Sequence, residues 1–226
     1  MIGTVPVNLK DCPPFSSLHR KNITQDELKQ WERINASGTE LESKEKYHKA
    51  VRRYREAAEI DDRYADLHYR FGRCYSELGK HTKAAEKYVK AREMDTLRFR
   101  ADMRINRVIR KVAGNTRAKL VDAENIFQQE SDHGVPGRKL FYDHVHFTFK
   151  GNYLLAKSFL DQIEQKLPQW IRGKAAGDGN AISRRECARR LAFTWFDRYM
   201  ITEENISQQQ NPPFTNQMYH ESRVQR

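Results

Sequence analysis

ADLHYRFGRCYSELGKHTKAAEKYVKAREMDTLR, residues 65–98, decides how this chain is read. Small residues at Gly72, Ala84 and Ala91 are interleaved with Phe71, Tyr75 and Tyr88, and Gly79 stands where a turn would separate two helices. Two antiparallel helices need small residues at such fixed offsets to pack closely and then stack on a copy of themselves. The pattern also stands 34 positions earlier (38 against 72). Gly38, Tyr47, Ala50, Tyr54, Ala57 and Ile60 recur as Gly72, His81, Ala84, Tyr88, Ala91 and Met94. A third copy over 99–132 fails, because Asn106, Asp122 and Asn125 fall on its Gly, aromatic and second Ala positions. The expectation is two stacked helical hairpins, the second regular and the first degenerate.

Phe71-Gly72, Tyr75, Gly79, Ala84, Tyr88 and Ala91 stand where a tetratricopeptide repeat has its Leu-Gly, Tyr, Gly, Ala, aromatic and Ala, so the segment resembles such a repeat. His68 replaces the usual Trp and Thr96 the closing Pro; in the copy over 31–64, Leu41 replaces the Tyr and Glu45 the turn Gly. The resemblance implies an interaction module with a groove for a protein or peptide. Helical spacing puts Asp66, Tyr69, Arg73 and Ser76 on the face that such arrays turn toward the groove. Arg73 beside Tyr69 combines a cation with a flat amphipathic surface, which suggests an extended acidic or C-terminal-carboxylate peptide as the ligand.

The chain has 226 residues, 38% hydrophobic and 31% charged, with a net charge of +11. No apolar run approaches the length of a membrane span, and the opening Met1 to Pro6 is too short for a secretion signal. A cytoplasmic chain is therefore expected, unless the natural protein extends upstream. Cys12, Cys74 and Cys187 form no CxxC pair, and Cys74 reads as a small buried hydrophobe. The densest basic stretch carries Arg98, Arg100, Arg104, Arg107, Arg110, Lys111, Arg117 and Lys119. Ile105, Val108, Ile109 and Val112 mark one face of a helix there, which leaves most of the cations on a solvated face. No nucleic-acid motif accompanies them, so nucleic acid is not an expected partner.

Along the chain, residues 2–7 read as a short strand and 118–122 as another, expected side by side as a parallel pair whose open edge would promote self-association. Between them runs a helical region from the N-cap Thr24, with Glu27 three residues on, to about Val112; its last helix is expected to cover the open face of the final hairpin. Gly151 to Leu167 reads as an amphipathic helix, residues 173–182 as a linker, and Ser183 to about Ser207 as a helical extension with Ala188, Leu191, Ala192, Trp195 and Tyr199 on one face. Pro212-Pro213 breaks that extension, and Met218 to Arg226 offers no face long enough to dock. The expected units are thus 1–22, 23–113, 114–172, 173–182 and 183–226, in a mostly α chain.

Asp143-His144-Val145-His146 is the second informative stretch. An Asp three residues before a His, in a loop entering a helix, can accept a hydrogen bond from one ring nitrogen and leave the other free as a general base. The order strand, loop with Gly134 and Pro136, D-x-x-H and helix resembles the C-terminal end of an SGNH/GDSL-type hydrolase, and Thr4 to Asn8 looks like the penultimate strand of that fold. The resemblance covers about 1–20 and 117–168. It implies that Asp143 orients His146, that His146 activates a serine, and that the hairpins are inserted into the C-terminal part of an α/β sandwich. The family's Gly-Asp-Ser and oxyanion blocks precede its penultimate strand, and Gly177-Asp178-Gly179 lacks the Ser, so the serine would come from an upstream segment. Catalysis by residues 1–226 alone is not expected.

Two plainer readings of the same residues stand beside it. His144 and His146, two apart on an extended segment, could hold a transition metal with Asp143 or His133, although histidine pairs in loops commonly hold none and no metal or other cofactor is expected. Asp143 and His146 could also simply tie the loop to the helix. Ser16, Ser17 and His19 have no acidic residue at a meaningful spacing and read as turn and cap residues.

Overall fold

The computed structural model describes residues 1–173 and 181–221, so most of the expected linker and residues 222–226 lie outside the described residues. The chain is mostly helical. Strand β1 (Ile2–Gly3) is followed by α1 (Gln25–Ser43), α2 (Tyr47–Ile60), α3 (Ala65–Glu77), α4 (His81–Met94) and α5 (Met103–Asn115). Then come β2 (Leu120–Val121), α6 (Ala123–Gln129), a short 3-10 turn at Asp132–Gly134, α7 (Phe149–Glu164), α8 (Gln169–Arg172), α9 (Arg184–Arg190), α10 (Trp195–Gln209) and a second 3-10 turn at Phe214–Asn216. Among the described residues, no helix is long and apolar enough to cross a membrane.

Helices α1 with α2 and α3 with α4 form two hairpins, joined through α2 against α3. Thr24 and Glu27 close a reciprocal capping box at the start of α1. Both first helices end alike: the Lys46 amide donates to Leu41 O at 2.8 Å, and the Lys80 amide to Tyr75 O at 2.8 Å. That wrap needs a left-handed residue, which is Gly79 at φ 68° in the second hairpin and Glu45 at φ 56° in the first. The small residues act as the sequence requires: a side chain at Gly38 would strike the Tyr54 ring, and one at Gly72 the Tyr88 ring. Trp31, Tyr54, Leu67, Phe71, Tyr75 and Tyr88 make the core of this half, and Cys74 is buried with them.

Strands β1 and β2 pair in parallel, Ile2 with Leu120 and Gly3 with Val121, across the five intervening helices. Both strands are shorter than the expected 2–7 and 118–122. The Val5 amide and carbonyl go instead to Asn106, whose Oδ1 accepts at 2.7 Å and whose Nδ2 donates at 3.0 Å. Pro6 has no amide to give, and the Asn8 amide donates to His144 O. With those groups satisfied elsewhere, no ladder among the described residues continues past Thr4.

Helix α5 corrects a second expectation. It lies along β1 and β2 rather than over the final hairpin, where α4 instead meets the 3-10 turn and His81 stacks on His133. Its buried residues are Asn106 and Ala113, while Ile105 at 48%, Val108 at 59% and Val112 at 42% are exposed. Arg100 is likewise not a solvated cation: it is buried, and its Nη1 donates to Asn8 O at 2.9 Å and to Cys12 O at 2.8 Å. The C-terminal extension is two helices, broken where Ala192 turns left-handed and Thr194 with Asp197 caps α10. Trp195 and Tyr199, expected on a packed face, are exposed, whereas Met218 and Tyr219 dock on the hairpin core.

Candidate functional site

The loop between α6 and α7 is built on a small apolar cluster of Phe127, Leu140 and Phe141, with Phe147 against it. Phe141 and Phe147 face each other across an isolated bridge, and the Tyr142 amide donates to His146 O at 2.8 Å. Residues 142–146 are therefore a tight reversal. Helix α7 approaches closely because residue 151 is glycine: a Cβ there would lie 2.4 Å from Leu140 O. Thr148 caps the helix through the Gly151 amide, which sets His146 just before its first turn.

Asp143 is buried at 2% exposure and fully engaged. Its Oδ1 accepts the Val145 and His146 amides, each at 2.8 Å, and its Oδ2 lies 2.7 Å from His146 Nδ1. Asn205 Nδ2 of α10 reaches the same Oδ2 at 3.3 Å. Asn8 ties the loop to the β1 segment by donating to Asp143 O at 3.0 Å. With two amides fixing one oxygen, the carboxylate presents the other to the imidazole and to Asn205. The His146 side chain is 62% exposed and opens on a cleft of ≈ 390 Å³ lined also by Tyr142, Phe149, Phe193, Glu204 and Asn205. None of the described residues that line it is a Ser, Thr or Cys.

The histidines of this stretch part company. His144 is buried, stacks on Phe15 at 4.3 Å and lies 2.8 Å from the Gln217 amide nitrogen. His146 faces the cleft, and His133 stacks on His81. Among the described residues no group of three His, Cys, Asp or Glu side chains is placed to hold a metal.

The four residues expected on the groove face meet the chain itself. Tyr69 is buried and donates its hydroxyl to Lys10 O at 2.8 Å. The Asp66 amide donates to Ser17 Oγ at 2.9 Å, and burial pushes the Asp66 carboxyl up to about 6 even though Ser17 opposes the shift. Ser76 Oγ lies 3.3 Å from Tyr88 Oη. The Arg73 guanidinium sits 3.9 Å over the Tyr219 ring and 3.2 Å from Glu42 Oε1. Asp66, Tyr69 and Arg73 are thus engaged by the segments around 10–17 and 217–219, and Ser76 by α4.

One pair has no trace in local sequence spacing. His19 Nδ1 lies 2.7 Å from Asp61 Oδ2, with Asp61 buried and also accepting from the Arg20 and Arg63 amides. His19 therefore has an acidic partner, contrary to the sequence reading, brought across 42 positions by the return of α2. Its ring stacks on Tyr64 and meets Trp31 edge-on, an arrangement that clamps residues 15–20 on the first hairpin. No protein-family model matches the chain, and neither the curated proteins nor the solved structures give a significant match.

Proposed function

We propose that residues 1–20 and 117–168 are the C-terminal part of an SGNH/GDSL-type ester hydrolase in which Asp143 orients His146 as general base. The serine is supplied by a segment upstream of Met1, and the two hairpins are a tetratricopeptide-type interaction module inserted between strands. The observation that carries this reading is the 2.7 Å contact between a buried Asp143 Oδ2 and Nδ1 of an exposed His146. A donated Nδ1–H leaves the Nε2 lone pair to take a serine proton as Oγ attacks an ester carbonyl. The protonated ring then returns that proton to the leaving alkoxide, and a second round with water frees the acid.

Two further features support it. The exposed apolar face of α5 and the outer edges of the β1 and β2 pair, which meet no further strand among the described residues, are surfaces that further strands and helices of a sandwich would cover. The interaction module is supported by the matched contacts of Gly38 with Tyr54 and Gly72 with Tyr88.

The test is fluorophosphonate labelling of the chain extended upstream in its natural reading frame. We expect one upstream serine to be labelled, with labelling at least a hundredfold slower in His146→Ala, and no serine labelled in residues 1–226 alone. Labelling that ignores His146→Ala, or that falls on a serine within 1–226, overturns the reading.

A further inference from the structure

Tyr219 of the C-terminal segment is held by three side chains of the hairpins. Tyr219 donates its hydroxyl to Glu42 Oε1 at 2.8 Å and accepts from Arg70 Nη1 at 2.8 Å. Arg73 covers the face of the ring at 3.9 Å. Glu42 is itself buried at the end of α1, and its other oxygen accepts from Tyr54 Oη at 2.6 Å and from Arg70 at 3.2 Å. The acceptor, the donor and the cation over the ring are therefore held by the hairpins rather than by the segment they bind. Tyr219 adopts φ 59°, a left-handed conformation that an aromatic residue takes only when its surroundings hold it there.

The path of the segment back along the chain gives the site its consequence. Two residues earlier, the Gln217 amide donates to Pro13 O at 2.8 Å and meets His144 Nε2 at 2.8 Å. Further back, Asn205 touches Asp143, and Glu204 and Phe193 line the cleft beside His146. One continuous stretch thus runs from the His146 cleft to the face of α1 and α3.

We propose that Glu42, Arg70 and Arg73 form a tyrosine-recognition pocket for an extended tyrosine-bearing peptide, with Tyr219 of this chain as its resident occupant. A peptide that enters in trans displaces Tyr219 and loosens the stretch that reaches Asp143. The ligand is an un-ionised phenol, since Glu42 needs its proton and Arg70 its oxygen, with an aromatic ring for Arg73 to cover. This replaces the acidic peptide expected from sequence: the Glu42 carboxylate already engages both arginines. The inference stands on these contacts and does not depend on the hydrolase reading.

The experiment measures binding of a fluorescent peptide of sequence NPPFTNQMYHE, matching residues 211–221, to the full chain and its variants by anisotropy. We expect at least tenfold tighter binding to Tyr219→Ala and to Tyr219→Phe than to the wild-type chain, because the resident occupant is weakened. A peptide with Phe in place of its Tyr should bind the Tyr219→Phe chain at least tenfold more weakly, and adding Arg73→Ala should remove binding. Tyr219→Phe keeps the ring and the fold, so it carries the test if Tyr219→Ala unfolds. Equal affinity for wild type and Tyr219→Phe, no binding to either, or equal binding of the Phe peptide overturns the proposal.

Discussion

A Cβ on Gly72 would lie 2.6 Å from Cδ1 of Tyr88, so the tyrosine ring of α4 already fills the space that a side chain on α3 would need. Tyr88 is buried at 2% exposure and has nowhere to retreat. Gly72→Ala should therefore cost about 1–3 kcal/mol by overpacking. Gly114→Ala, on a helix where nothing lies within 4 Å, should instead stabilise by about 0.5–1 kcal/mol. Urea denaturation of the two variants decides the point, and equal shifts would show that Gly72 is no contact residue.

The two hairpins differ at their turns, with Gly79 at φ 68° but Glu45 at φ 56°. Glu45 bears a left-handed strain that glycine would not. Glu45→Gly should raise stability by about 1 kcal/mol, and Gly79→Ala should lower it by a similar amount. A Glu45→Gly chain no more stable than wild type would show that the strain is relieved elsewhere.

Arg100 holds the carbonyls of Asn8 and Cys12 and lies 3.4 Å from Asp95, which caps the Phe15 and Ser16 amides. Arg100→Ala leaves a buried carboxylate and two carbonyls short of partners. The expected cost is about 3–5 kcal/mol, read by thermal denaturation. A loss below about 1 kcal/mol would mean that water replaces the guanidinium freely.

Two titrating groups on α3 oppose each other. Burial of His68 lowers its ring from 6.5 to about 4, while burial of Asp66 raises its carboxyl from 3.8 to about 6. For His68 the unfolded chain takes a proton that the fold refuses, so its contribution is full above 6.5 and is lost as pH falls through about 4. For Asp66 the contribution is full below 3.8 and is lost as pH rises through about 6. Relative to His68→Phe, the wild-type chain should lose about 3 kcal/mol between neutral pH and pH ~4. Relative to Asp66→Asn, it should lose stability in the opposite direction. Denaturation at both pH values checks the signs, and parallel curves for wild type and His68→Phe would refute the first.

What was legible in the sequence follows from distance along the chain. Gly38, Gly72, Tyr54 and Tyr88 act within single hairpins, where fixed offsets become fixed contacts, and the Asp143 to His146 spacing closes within one loop. On α5, periodicity identifies an apolar stripe without saying what lies opposite it; here Asn106 turns to the strand because Val5 needs its backbone satisfied. His19 with Asp61, Arg100 with Asn8, and Tyr219 with Glu42 depend on segments that meet only after folding, and no local pattern announces them.

We propose that Asp143 fixes the tautomer of His146 so that Nε2 faces the cleft as a base. Long-range proton–nitrogen correlation of the neutral His146 ring reads that tautomer directly. We expect the proton on Nδ1 in the wild-type chain and a shift toward the Nε2–H form in Asp143→Asn. A wild-type ring carrying its proton on Nε2, or a ring indifferent to Asp143→Asn, would contradict it.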